Sequence, residues 1–307
     1  MIRKSEQLSV RAQIFLLFLL FSSASLCVSA PLREPPSQFP LTFEDTQGRQ
    51  VNLAQAPQRI VSLNPGNTEI LLALNAQSIL VGVDQFSGRT GEAQKITQVG
   101  TLLNPSYERI VALQPELVLI TDMSAHRRKQ LESLGLKVAM IDPDSLEELY
   151  QAVLLLGTIS RRDEAAAQLK GDLKARADKV IERAKTFDQR PRVFIEVWPD
   201  PLQTAGPGTF MHDLVELAGG SNIASDAISD WPLFNLELVV ERNPAVIFTP
   251  YEQSRQELLS GRRSQWASIS AVRHGRVHMI DQDTLSRPGP RLIDAFELIA
   301  RLIDESR

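Results

Sequence analysis

One order of elements occurs twice along this chain, and that repetition constrains the fold more than any single motif. From Arg59, RIVSLN reads as a strand, and Asn67 opens a helix over TEILLALNA. The strand ILVGVD follows, then the helix YERIVALQ opened by Ser106, and then the strand ELVLI. HRRKQLESLG is a helix closed by Gly135, KVAMID a strand and SLEELYQAVLLLG a helix. Strands alternating with helices predict parallel sheets, because parallel neighbours need a crossover. After residue 190 the plan recurs: strand RVFIEVW, helix TFMHDLVELAGG, helix LELVVERN, strand AVIFT, helical SRQELLSGRRSQWASI, strand RVHMID and helix RLIDAFELIARLI. Ser106, Glu108, Pro115 and Val118 align with Asn235, Glu237, Pro244 and Ile247 over 13 positions without a gap. KVAMID (137–142) then aligns with RVHMID (276–281). The prediction is an α/β chain of two similar lobes, residues 31–160 and 188–307.

Residues 161–187 separate the lobes and contain no proline and one glycine, Gly171. Ala, Lys, Arg, Leu and Glu favour helix, so a single long helix of roughly 40 Å is expected to join the lobes and limit hinge motion. LTFEDTQGRQVNL, ahead of the first lobe, predicts a hairpin turning at Gln47-Gly48. Residues 1–30 carry Arg3, Lys4 and Arg11, an apolar run from Ile14 to Phe21, and the small-residue stretch SSASLCVSA. That is the pattern of a secretory signal, cut between Ala24 and Ala30, and it predicts export. Leu26 stands where a lipoprotein signal wants a small residue before Cys27, which weighs against a lipid anchor there.

Composition narrows the function. Lys plus Arg is 33 against 37 Asp plus Glu, a net charge of −4, so the basic footprint of a nucleic-acid binder is missing. The single cysteine, Cys27, rules out an internal disulfide and a Cys-built metal site. Of the four histidines, His274 and His278 are four apart, but His278 falls in a strand, which predicts no metal site. HExxH, GxSxG, Walker-A and GxGxxG motifs are absent. No catalytic residues and no cofactor are predicted, and the chain reads as a binding protein rather than an enzyme. Gly206-Pro207-Gly208 reads first as a tight turn into a helix and second as a backbone anion site.

Two constellations remain. Glu108 and Glu237 each sit two residues after an N-cap, in matching positions of the two repeats. A carboxylate there suits the helix dipole. A pair of them, one per lobe, equally suits two arginines on a symmetric partner. Loops following strand C-termini face the cleft of an open α/β sheet. Here they hold Pro65, Gly66, Asn67, Phe86, Thr121, Asp122, Trp198, Trp231 and Arg287. Trp198 and Trp231 are each followed by proline, which stiffens an aromatic wall; with few charges, such a wall suits a large, flat, partly apolar ligand. Trp266 reads as core.

RIVSLNPGNTEILLAL, ERIVALQPELVLI, TAGPGTFMHDLVELAGGSNI, WPLFNLELVVERNPAVIF and SRPGPRLIDAF together resemble the periplasmic solute-binding proteins of cobalamin and siderophore uptake, over roughly residues 41–305. The resemblance implies two Rossmann-like lobes joined by a single long helix, with a ligand held in the cleft between them. It implies cobalamin or a related corrinoid as ligand and delivery to an inner-membrane ABC permease/ATPase complex. It also implies that Glu108 and Glu237 meet permease arginines, and that Phe86, Trp231 and Arg287 match ligand-contacting positions. Leu102, Thr121 and Gln203 stand where cobalamin binders carry aromatics. A ferric siderophore and haem therefore stay open as ligands, and a chelatase-like tetrapyrrole enzyme stays open as a rival class.

Overall fold

The computed structural model describes residues 39–307 except Thr90, Leu102 and Ser286. The expected export segment, residues 1–30, lies outside the described residues, as does Leu102. The described chain opens on an antiparallel hairpin of β1 (Leu41–Glu44) and β2 (Gln50–Leu53), turning through Gly48 at φ +73°. Asp45 ties the turn by accepting from the backbone N–H groups of Gln47 at 3.0 Å and Arg49 at 3.1 Å.

Lobe 1 runs β3 (Ile60–Ser62), α1 (Pro65–Ala73), β4 (Leu80–Val83), α2 (Tyr107–Ala112), β5 (Leu117–Ile120), α3 (Arg128–Ser133), β6 (Val138–Met140) and α4 (Leu146–Ser160). Its strands are all parallel, in the order β4-β3-β5-β6. Lobe 2 runs β7 (Arg192–Ile195), a short antiparallel pair β8 (Trp198–Pro199) and β9 (Leu202–Gln203), α6 (Phe210–Leu217), β10 (Ser221–Asn222) and α7 (Leu236–Arg242). It continues with β11 (Val246–Thr249), α8 (Glu252–Leu259), α9 (Ser270–Arg273), β12 (Val277–Met279), α10 (Gln282–Leu285) and α11 (Leu292–Asp304). Its parallel order, β10-β7-β11-β12, repeats that of lobe 1 strand for strand. Both sequence matches fall on equivalent strands, Val118 with Ile247 in β5 and β11, and KVAMID with RVHMID in β6 and β12.

Between the lobes lies α5 (Asp163–Ala184), 22 residues and so roughly 33 Å long. It is shorter than the expected 161–187 because Arg161, at φ +56°, closes α4 in the left-handed conformation. At that corner a Cβ on Gly157 would lie 2.3 Å from the Cβ of Ala166, so glycine is what lets α4 and α5 touch. Ala166, Leu173 and Ala177 form the buried face of α5. Its arginines reach α11: Arg176 donates to Glu297 at 2.9 and 2.6 Å and to Asp294 at 2.6 Å, and Arg183 donates to Asp304 at 2.9 Å. One apolar core passes from Ile60 and Leu71 in lobe 1 through Leu173 to Val193 and Phe296 in lobe 2. The far face of each sheet has its own core, around Val118 in lobe 1 and around Phe194 and Trp266 in lobe 2. Trp266 is buried against Phe194 at 6.0 Å, as a core residue should be.

Two local expectations need correction. Asn64, not Asn67, caps α1: its side chain accepts from the Asn67 N–H, and Pro65 takes the first helical position, where a missing N–H costs nothing. The stretch from Ser254 is not one helix, because α8 stops at Leu259 and Gly261 turns the chain at φ +73°.

Candidate functional site

A cavity of about 450 Å³ opens between the lobes. Lobe 1 lines it with Thr46 and Gln47 of the hairpin turn, with Asp122 after β5, and with Met140, Asp142, Pro143 and Asp144 at the end of β6. Lobe 2 supplies Gly208 to Met211 at the start of α6, then Asp230, Trp231 and Pro288. Thr209 caps α6, its Oγ1 accepting from the His212 N–H at 3.2 Å, so Phe210 and Met211 enter the cleft on the first helical turn. Gly206-Pro207-Gly208 is the tight turn before that cap. A Cβ on Gly208 would lie 2.8 Å from the Asp230 carboxylate, which leaves an acidic group, not an anion site, over these residues.

The lightly charged wall expected from the sequence is corrected: four aspartates and no Lys, Arg or His are among the described lining residues. Asp142 accepts from the Asp122 N–H at 2.7 Å and from the Asn64 amide at 3.2 Å. Burial pushes its carboxyl up to about 6; those two hydrogen bonds oppose the rise, and the Asp144 and Asp122 charges add to it. Asp144 is also raised, first by burial, then by Glu148, by Asp122 and by Asp230 of the opposite lobe.

Asp142 therefore holds its proton more tightly in the folded protein than at its ordinary 3.8. Its contribution to stability is fully present below about pH 4 and is lost as pH rises through about 6. Asp142→Asn is expected to add about 3 kcal/mol of stability at pH 7 and only about 0.5 kcal/mol at pH 4. Urea unfolding at the two pH values measures this, and an equal gain at both would contradict the assignment.

Of the residues singled out in the sequence, Trp231 and Asp122 line the cavity. Half-buried Pro65 and buried Gly66 and Asn67 form the first turn of α1, where the Asn67 amide donates to the Ile141 carbonyl at 2.8 Å. Phe86 follows β4 half-buried, its N–H donating to Asp84 at 2.7 Å. Trp198 stands half-exposed on the β8–β9 hairpin, edge-on to Tyr251 at 5.8 Å. Arg287 is 5% exposed and ion-paired with Asp283 at 2.7 Å, while its neighbour Pro288 reaches the cavity. The residues missed, Asp142, Asp144, Asp230, Phe210 and Met211, carry no motif. The rule that strand C-termini face the cleft would have found Asp142 and Asp144, two and four residues past KVAM.

Glu108 and Glu237 occupy the first turns of α2 and α7. Ser106 and Asn235 cap these helices, accepting from the Arg109 N–H at 3.4 Å and the Leu238 N–H at 2.8 Å. Both glutamates are exposed, and neither forms an ion pair with another described residue.

Residues 60–284 match the family model described as periplasmic binding protein. The chain belongs to the periplasmic binding protein family. This family member is 34% identical over 273 residues to an ABC transporter substrate-binding lipoprotein, YvrC of Bacillus subtilis, covering 86% of each chain. It is 32% identical to the vitamin B12-binding protein of Salmonella typhi, over 81% of this chain and 91% of that one. Among solved structures, the periplasmic vitamin B12-binding protein BtuF of Vibrio cholerae superposes with a TM-score of 0.72 at 26% identity, covering 82% of this chain and 98% of BtuF. The haem-binding protein RhuT of Roseiflexus does so with a TM-score of 0.71 at 25% identity, covering 81% and 99%. This family member is thus a substrate-binding component of the ABC-transporter type and not an enzyme, with vitamin B12- and haem-binding proteins and a possible iron-binding protein among its structural kin. No helix among its described residues is long and apolar enough to cross a membrane.

Proposed function

We propose that this protein captures cobalamin or a related corrinoid in the periplasm and presents it to an inner-membrane ABC importer through Glu108 and Glu237. The observation that carries the ligand reading is the character of the cleft. Trp231, Phe210, Met211 and Met140 offer an apolar wall, and beside Thr46, Gln47 and Thr209 the polar lining is four carboxylates, with no basic side chain among the described lining residues. Carboxylates accept hydrogen bonds from amide N–H groups, and a corrin ring is fringed with primary amides. Haem carries two propionates and many ferric siderophores are anionic, so four aspartates disfavour both. Vitamin B12-binding relatives at about this identity support the same choice.

Calorimetry with cyanocobalamin and, in parallel, with haemin tests this. One-to-one binding of cyanocobalamin at micromolar protein and no heat from haemin is the expected result. The reverse pattern would replace the corrinoid with haem.

The importer reading rests on the two repeats. Each exposed glutamate stands at the same position of its lobe. Leu103, 52% exposed, lies three residues before Ser106, and Leu233, 66% exposed, lies two before Asn235. An exposed charge with an exposed apolar residue a few positions ahead of it, provided once per lobe, suits a two-fold membrane partner.

A further inference from the structure

The structure brings together two segments that the sequence assigned separately to the ligand. Gly66, in the first turn of α1, lies against the chain at Pro288 and Gly289 ahead of α11. A Cβ on Gly66 would fall 2.5 Å from the Pro288 carbonyl oxygen, and one on Gly289 would fall 3.0 Å from Glu69 Oε2 and 3.3 Å from the Gly66 carbonyl oxygen. Two glycines thus let backbone from opposite lobes meet face to face.

One turn along α1, Glu69 Oε1 accepts from both Nε and Nη2 of Arg291, at 3.1 Å for Nε. Glu69 Oε2 is buried beside Gly289, and its side chain as a whole is 17% exposed. The pair joins residues 222 positions apart and spans the lobes. It is a direct connection, separate from α5, and it lies beside Pro288 in the wall of the cleft.

We propose that Glu69 and Arg291 are positioning residues that clasp the lobes together and so fix the width of the cleft. Parallel sheets joined by one helix can still rock about that helix. The clasp adds a second attachment next to the cavity, so Pro288 is held at one distance from Asp142 and Asp144 before any ligand arrives. A preformed cleft spares the ligand the entropy of closing it. The clasp stands on lobe geometry alone, and only its bearing on capture rests on the ligand reading above.

The test needs no ligand. In a full-length Cys27→Ser background, spin labels at Gln130→Cys in lobe 1 and Ser260→Cys in lobe 2 report the interlobe distance by pulsed electron resonance. Glu69→Gln and Arg291→Gln are each expected to broaden the distance distribution by a similar amount. The double variant should broaden it no further, because either change alone opens the clasp. Arg291→Lys, which keeps the charge but not the fork, should fall between. Melting curves run alongside. A lowered melting temperature with an unchanged distribution would show Glu69 and Arg291 to be merely stabilising and would overturn the proposal. So would additive broadening in the double variant.

Discussion

Uptake of the ligand should collapse in the Glu108→Ala/Glu237→Ala double variant while binding to the isolated protein stays at its original affinity. Both carboxylates lie outside the lining of the cleft, each on the first turn of a capped helix. If they serve only the helix dipole, each truncation costs about 0.3–1 kcal/mol of stability and transport barely changes. If they pair with arginines of a permease, each truncation leaves a desolvated cation unpaired, at a cost of roughly 2–5 kcal/mol in association. The two readings differ most in the double variant, where losses of that size at separate sites add and abolish productive docking. Charge reversal to Arg at both positions should be worse still. The decisive comparison is calorimetry of ligand binding beside uptake by whole cells. Normal uptake in the double variant would remove the docking role, and lost ligand binding would place the glutamates in the site instead.

The lobes were legible in the sequence because hydrophobic runs and caps are local signals. Ser106 and Asn235 announce their helices with a side chain that accepts a nearby N–H, and the register between them survives intact in the fold. The equivalence of β6 and β12 was readable for the same reason. The cleft was harder to read. Asp142 and Asp144 look like ordinary turn residues around Pro143, and only the packing of lobe 2 sets Asp230 against them. Asn67 and Gly66, expected from the sequence at the ligand, stand in the first turn of α1 behind Pro65, and the chain at Pro288 covers Gly66. Contacts between segments more than 200 residues apart, such as Glu69 with Arg291, leave no trace in spacing or periodicity.

Arg128→Ala is expected to destabilise the protein by about 3–5 kcal/mol, because it strands a buried carboxylate. Asp45 has a fully buried side chain and pairs with Arg128, itself 3% exposed. Burial alone would push the Asp45 carboxyl up. Arg128, with the backbone N–H groups of Met140, Arg49 and Gln47, outweighs that and holds it below the usual carboxylate range. This one group therefore fastens the β1–β2 turn both to α3 and to β6. The turn supplies Thr46 and Gln47 to the cleft wall, so the pair reaches the site through the hairpin it anchors. Arg49 and Glu132 provide an internal comparison. They span the same hairpin and α3, but their side chains are 48% and 40% exposed at 3.4 Å, and such a pair contributes about 0–1 kcal/mol. Urea unfolding of Arg128→Ala beside Glu132→Ala should separate the two by several-fold. Equal and small losses would mean that water reaches Asp45 and that the backbone donors alone hold the turn. A large loss confined to Arg128→Ala, with ligand affinity lowered in the surviving folded fraction, would tie the buried pair to the shape of the cleft.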